Sequence, residues 1–115
     1  MVYVANEDVE RVLVGVPSSH KHLRAALFLK GGYVVIFSEA TLANLVRAYV
    51  TVKTHPKRRA VELRARTRGE AGPFKEGYAD CQLLEEDTCD EVISGELSKL
   101  LALAKRWEFG SAPGV

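Results

Sequence analysis

The chain has 115 residues, of which 47% are hydrophobic and 27% charged, and its formal net charge is +1. This length and apolar content fit one folded domain and exclude a disordered chain. No apolar run approaches the ~20 residues that span a bilayer, and the start lacks the order of a signal peptide, so we expect a cytoplasmic protein with no membrane segment.

The small net charge hides a segregation of charge along the chain. Residues 20–69 hold eleven Lys and Arg against two Glu, which gives +9, whereas residues 70–115 hold four Lys and Arg against ten Asp and Glu, which gives −6. A basic block of this kind predicts either a surface for a polyanion or a region that packs against the acidic remainder. Both interpretations stay open at this level.

The first element is predicted to be a helix that Asn6 caps and Pro17 ends. Its apolar residues recur at helical spacing: Val9, Val12, Leu13 and Val16. Residues 11–16 are also rich in β-branched side chains, so a strand is the rival prediction.

A β-hairpin is predicted next, with strands at 23–30 and 33–38 joined by Gly31-Gly32. Two glycines supply the positive φ angles of a tight turn, and a two-residue loop places Lys30 opposite Tyr33. In that register one face is uniformly apolar and belongs to the core. The other face combines cations with aromatic rings: Arg24, Phe28, Lys30, Tyr33 and Phe37.

The remaining elements are a helix from Ser38 or Glu39 to Pro56, strands at 60–67 and 78–84, and a final helix that runs to about Trp107. The middle helix carries an apolar stripe that we expect to be buried: Leu42, Leu45, Val46, Tyr49 and Val50. The order β-β-α-β-β-α predicts an α+β fold in which a four-stranded antiparallel sheet has its helices on one face. We expect a single domain at 1–109 and a frayed tail at 110–115.

The sheet face without helices is the predicted functional surface. Alternate residues of a strand lie ~6.6 Å apart, so arginines at 64, 66 and 68 form a ladder that can follow a phosphate backbone, while aromatic rings can stack on unpaired bases. We therefore predict a non-enzymatic protein that binds single-stranded DNA or RNA with little sequence preference, without cofactor or metal. Its predicted contact residues are Arg24, Phe28, Lys30, Tyr33, Phe37, Arg47, Lys57, Arg58, Arg59, Arg64, Arg66, Arg68 and Tyr78.

Two other functions remain open. The same face can be the subunit interface of a homodimer or higher homo-oligomer, with Phe28, Val35 and Phe37 buried there. A small hydrolase would instead need His20, His22 and His55 to converge, with Glu39 as a further ligand if it held zinc. Two cysteines are too few for a disulfide framework, and whether Cys81 and Cys89 pair is left open.

The chain contains one Gln, two Asn and one Met, a depletion typical of hyperthermophile proteins. This composition and three segments, at 23–33, 45–49 and 55–59, carry a resemblance to a known family. The chain resembles the ThermoDBP family of single-stranded nucleic-acid-binding proteins from hyperthermophilic archaea, and the resemblance covers about residues 20–85. The resemblance implies a dimer formed through a long C-terminal leucine zipper. Here the sequence stops soon after Trp107, and the hypothesis in its place is a shorter contact between helices through Leu97, Leu100, Leu101 and Leu103.

Overall fold

The computed structural model describes residues 1–107, and their mixed composition of helices and strands confirms the α+β class. In chain order the elements are β1 (Val2–Tyr3), a 3₁₀ turn (Asn6–Asp8), β2 (Val9–Gly15), β3 (Arg24–Leu29), β4 (Tyr33–Ser38), α1 (Glu39–Thr54), β5 (Leu63–Thr67), β6 (Cys81–Glu85), α2 (Asp90–Leu103) and β7 (Lys105–Arg106). The predicted tail at 110–115 lies outside the described residues.

The contacts divide the chain into two compact units, one at 44–98 and the other at 1–43 together with the chain from residue 99. In the second of these, β2, β3 and β4 form a three-stranded antiparallel sheet, and β1 pairs in parallel with β7. The unit at 44–98 contains the antiparallel pair β5–β6. The prediction of a single four-stranded sheet is therefore wrong, because the second partner of β3 is β2 and not a strand of the other hairpin.

The segment predicted as the first helix is mostly strand β2. Only Asn6–Asp8 are helical, as one 3₁₀ turn, and the Asp8 carboxylate closes that turn by accepting the Ala5 N–H at 2.8 Å. The β-branched residues that follow pair along the whole length of β3. Pairing with a neighbouring strand thus outweighs the helical spacing of the apolar residues, and the rival prediction of a strand is confirmed.

The hairpin of β3 and β4 has the predicted location but another register. Leu29, and not Lys30, lies opposite Tyr33, so the loop has three residues, and both of its glycines have positive φ. The backbone of Lys30 is bonded elsewhere, since its N–H donates to the Asp8 carbonyl at 3.0 Å and its carbonyl accepts the Trp107 Nε1–H at 2.8 Å. These two bonds keep Lys30 out of the ladder.

Helix α1 has the predicted extent, and Ser38 caps it by accepting the Thr41 N–H at 3.2 Å. Helix α2 ends at Leu103, before the predicted Trp107, because the chain then pairs with β1: the Lys105 N–H donates to the Met1 carbonyl at 3.1 Å. The prediction of a buried stripe on α1 is wrong: neither helix has a buried residue.

The core of the described residues is small. Its buried apolar side chains are Ala25 and Leu29 on the central strand β3, at 5% and 4% exposure, and Ala60 in the unit at 44–98. Asp8 is the buried charged residue. Within residues 1–107, no helix has the length and apolar character needed to cross a membrane.

Candidate interaction surfaces

The register of the hairpin divides the predicted binding face between the two sides of the sheet. Residues opposite one another on neighbouring strands point to the same side, and a shift of one position turns every side chain of a strand over. Tyr33 and Phe37 lie on the side of Leu27 and Leu29, whereas Arg24 and Phe28 lie on the other. Lys30 lies in the loop. The grouping of these five residues on one face is therefore wrong.

Apolar side chains are exposed on both sides of this sheet, and they belong to its outer strands β2 and β4. Six aliphatic residues are between 41% and 66% exposed. Those on one side are Val12, Val14 and Val35, and those on the other are Leu13, Val34 and Ile36. Of these six residues, the sequence predicted only Val35 as part of a surface, the alternative subunit interface; the β-branched run at 11–16 was the signal for β2.

The predicted arginine ladder carries ion pairs along its whole length. Arg64 contacts Glu62 at 2.8 Å, and Arg66 contacts Glu86 at 2.5 Å. Further pairs within the unit at 44–98 include Arg66–Glu70 at 3.5 Å, Arg68–Asp80 at 3.1 Å and Arg58–Glu85. The basic and acidic segments thus neutralise one another here, which is the second of the two interpretations of the charge pattern.

Hydrogen bonds and ion pairs in this unit shift the pKa values of Glu62, Glu70 and Arg66. The Thr88 hydroxyl and then Arg64 lower the pKa of Glu62, and bonds from the hydroxyl and the N–H of Thr67 lower that of Glu70. The pKa of Arg66 is raised by its hydrogen bond with Glu86. Each of these three shifts favours the charged form of its group.

Three of the four predicted stacking rings have close neighbours. The guanidinium of Arg11 lies over Phe28, 4.3 Å from the ring centroid. Arg11 on β2 and Phe28 on β3 are directly opposite one another in the sheet. The rings of Tyr33 and Trp107 pack edge to face, with their centroids 5.0 Å apart. Tyr78 precedes β6 instead of belonging to it, and the Lys75 ammonium lies 5.8 Å from its ring.

The segment after α1 holds the remaining predicted cations. Lys57 and Arg59 are exposed, and neither takes part in an ion pair among residues 1–107; the same holds for Lys53 at the end of α1. The N–H groups of Lys57 and Arg58 donate to His55 Nδ1 at 3.1 and 3.2 Å. Arg47 donates to Asn44 one turn earlier on its own helix.

The residues of the alternative hydrolase do not form a metal site. Across residues 1–107, no group of three or more His, Cys, Asp and Glu side chains is arranged to hold a metal ion. Glu39 instead accepts the Leu23 N–H at 2.6 Å, and His20 contacts the Ser18 carbonyl at 2.9 Å. Cys81 and Cys89 are free thiols.

Comparisons with family models, curated proteins and solved structures found no match for this chain. The resemblance to the ThermoDBP family therefore stays a prediction, and the proposal of a function depends on the geometry of these surfaces.

Proposed function

We infer that this chain is a self-associating protein-interaction module, in which a second copy covers the apolar surface of the sheet formed by β2, β3 and β4. The observation that supports this proposal is the exposure of the six aliphatic side chains on the two outer strands, beside only two buried apolar residues on the central one. A sheet in a stable domain buries at least one apolar face against another layer.

Each side of the sheet presents about half of this apolar surface. From their exposed fractions, the three side chains on one side present on the order of 250 Å², since Val12, Val14 and Val35 lie on one side and Leu13, Val34 and Ile36 on the other. A standard protein–protein interface removes about 800 Å² from each partner, so one side supplies about a third of one. Covering either side with another apolar surface is favourable.

Two substitutions separate the sides of the sheet. Leu13 and Val14 are neighbours on β2 that point to opposite sides, and both are about half exposed. A lysine on the covered side must be desolvated in the assembly, so we expect L13K or V14K to weaken self-association at least tenfold, measured by light scattering on a size-exclusion column. Glu10→Lys, on the same strand, is the matched control and leaves association unchanged.

Equal association by wild type, L13K and V14K would contradict the proposal, as would a wild-type chain that stays monomeric up to about 1 mM, the weak end of the affinity scale. Circular dichroism verifies that each variant keeps the wild-type secondary structure.

A second candidate function is binding of single-stranded nucleic acid by the basic segment at 53–59. Its support is that Lys53, Lys57 and Arg59 are exposed and take part in no ion pair within the described chain, unlike the arginines of β5. Unpaired cations can release counterions from a phosphate backbone, whereas cations already paired with carboxylates must first exchange partners.

A further inference from the structure

Helix α1 carries a second exposed apolar surface, apart from that of the sheet. It consists of four residues of the predicted stripe that are between 47% and 64% exposed, and we call it the α1 band: Leu45, Val46, Tyr49 and Val50. Their spacing of i, i+1, i+4 and i+5 places them along one face of the helix. A band of this kind is typical of a helix that packs against another helix.

Residues of opposite charge lie at the two ends of the α1 band. Glu39 is the first residue of α1, and Lys53 lies in its last turn. About four helical turns separate them, a length that returns to nearly the same face of the helix ~21 Å further on. Both are exposed, and neither takes part in an ion pair within residues 1–107. The Leu23 N–H donates to Glu39 Oε1 at 2.6 Å, which holds this carboxylate at the start of the helix.

We propose that α1 pairs antiparallel with α1 of a second copy, which places Glu39 of each copy beside Lys53 of the other. The two residues lie equally far from Val46, so a two-fold axis at Val46 forms both ion pairs at once. In the heptad that places Leu42 and Tyr49 at position a, both charged residues occupy position e, where ion pairs between helices set their orientation. A parallel pair would instead set like charges against one another at both ends.

This contact goes beyond the proposed function, since it uses another surface and does not replace the cover of the sheet. From their exposed fractions, the four side chains of the α1 band present on the order of 350 Å². That is less than half of the about 800 Å² that each partner gives to a standard interface, and one side of the sheet raises it to about three quarters. One two-fold dimer with both contacts has an interface of ordinary size and the mass of two chains.

Two charge reversals test the pairing of α1. Glu39→Lys sets like charges against one another at both ends of the antiparallel helix pair, and so does Lys53→Glu. We expect each variant alone to associate about tenfold more weakly than wild type in sedimentation equilibrium. In a parallel pair neither reversal would weaken association, because like charges already face one another there.

An equimolar mixture of the two variants should restore association, because each end of a mixed pair then joins opposite charges. The double variant Glu39→Lys, Lys53→Glu should restore it as well, with the net charge of the wild type. Neither rescue can come from the bond to the Leu23 N–H, which Glu39→Lys removes in every case. Lys57→Glu is the matched control, since it makes the same change of charge outside α1 and should leave association unchanged.

The outcomes separate this proposal from the proposed function. If wild type associates and neither reversal weakens it, or if neither the mixture nor the double variant restores association, the pairing of α1 is overturned and L13K and V14K still decide the cover of the sheet. Rescue of α1 pairing together with no effect of L13K and V14K would support the helix pair and contradict the proposed function. A wild-type chain that remains monomeric overturns both.

Discussion

Trp107 Nε1 donates a hydrogen bond to the carbonyl oxygen of Lys30 at 2.8 Å, across 77 positions of sequence. The Lys30 N–H is bonded to the Asp8 carbonyl, so both backbone polar groups of this loop residue are paired outside the hairpin. The register of β3 and β4 follows from this, and with it the side of the sheet on which each side chain lies.

Replacing Trp107 by Phe tests this relationship. The variant keeps a ring beside Tyr33 but removes the indole donor, so the free energy of unfolding should fall by about 0.5–1.5 kcal/mol. Urea unfolding followed by circular dichroism measures the change, since Trp107 is the single tryptophan and its fluorescence is lost. Tyr49→Phe, on an exposed face of α1, should change stability by less than about 0.5 kcal/mol, and equal effects of the two variants would contradict this role.

Local sequence signals predicted the elements whose causes are local. The glycines of the hairpin loop and the Ser38 cap of α1 act within a few residues, and both elements lie where they were expected. The register was not predictable in this way, because its determinants on Asp8 and Trp107 are distant in sequence. The strand β2 was only the rival to a predicted helix for a similar reason, since pairing with β3 decides its conformation.

Acid should destabilise the unit at 44–98 through Glu70. Hydrogen bonds from Thr67 hold the pKa of this carboxyl below its ordinary value of 4.5, so its stabilisation is complete above that value and is lost as the pH falls through the lower pKa of the folded state. We expect Glu70→Gln to lower stability at pH 7 and to flatten the pH dependence in urea unfolding between pH 7 and 3. Glu96→Gln is the control, and an unaltered profile in the Glu70 variant would contradict the assignment.

His55 ends α1 by accepting two backbone N–H groups through Nδ1. Alanine removes this acceptor, and we expect a loss of about 1 kcal/mol in the free energy of unfolding. Asparagine places an oxygen at a similar reach from the backbone, so His55→Asn should recover most of the loss. If both variants were equally destabilised in urea unfolding, the bonds to Nδ1 would not be the cause.

The second candidate function predicts unequal contributions from the basic residues. The pair Lys57→Ala, Arg59→Ala should reduce affinity for a labelled single-stranded oligonucleotide and lower the slope of log affinity against log salt by about 1.4, since each cation lost contributes ~0.7 on a single strand. Arg64→Ala, Arg66→Ala is the matched double variant on the ion-paired ladder and should alter the slope less. Fluorescence anisotropy with DNA and RNA at several salt concentrations measures both, and the reverse order would contradict this assignment.

The predicted binding face illustrates how a small error in register changes a functional prediction. Arg24 and Phe28 were expected beside Tyr33 and Phe37, but one extra loop residue places the two pairs on opposite sides. The ion pair of Arg66 with Glu86 was equally hidden, because this partner lies 20 positions away in sequence and is brought in by folding. The segregation of charge was evident from the sequence, but which charges neutralise one another was not.

Sedimentation equilibrium of the unmodified chain over a range of concentrations tests self-association most directly. A second copy that covers the sheet predicts a mass that rises with concentration toward twice the 12.7 kDa of one chain. A mass that stays at that of one chain up to about 1 mM, the weak end of the affinity scale, would contradict the account.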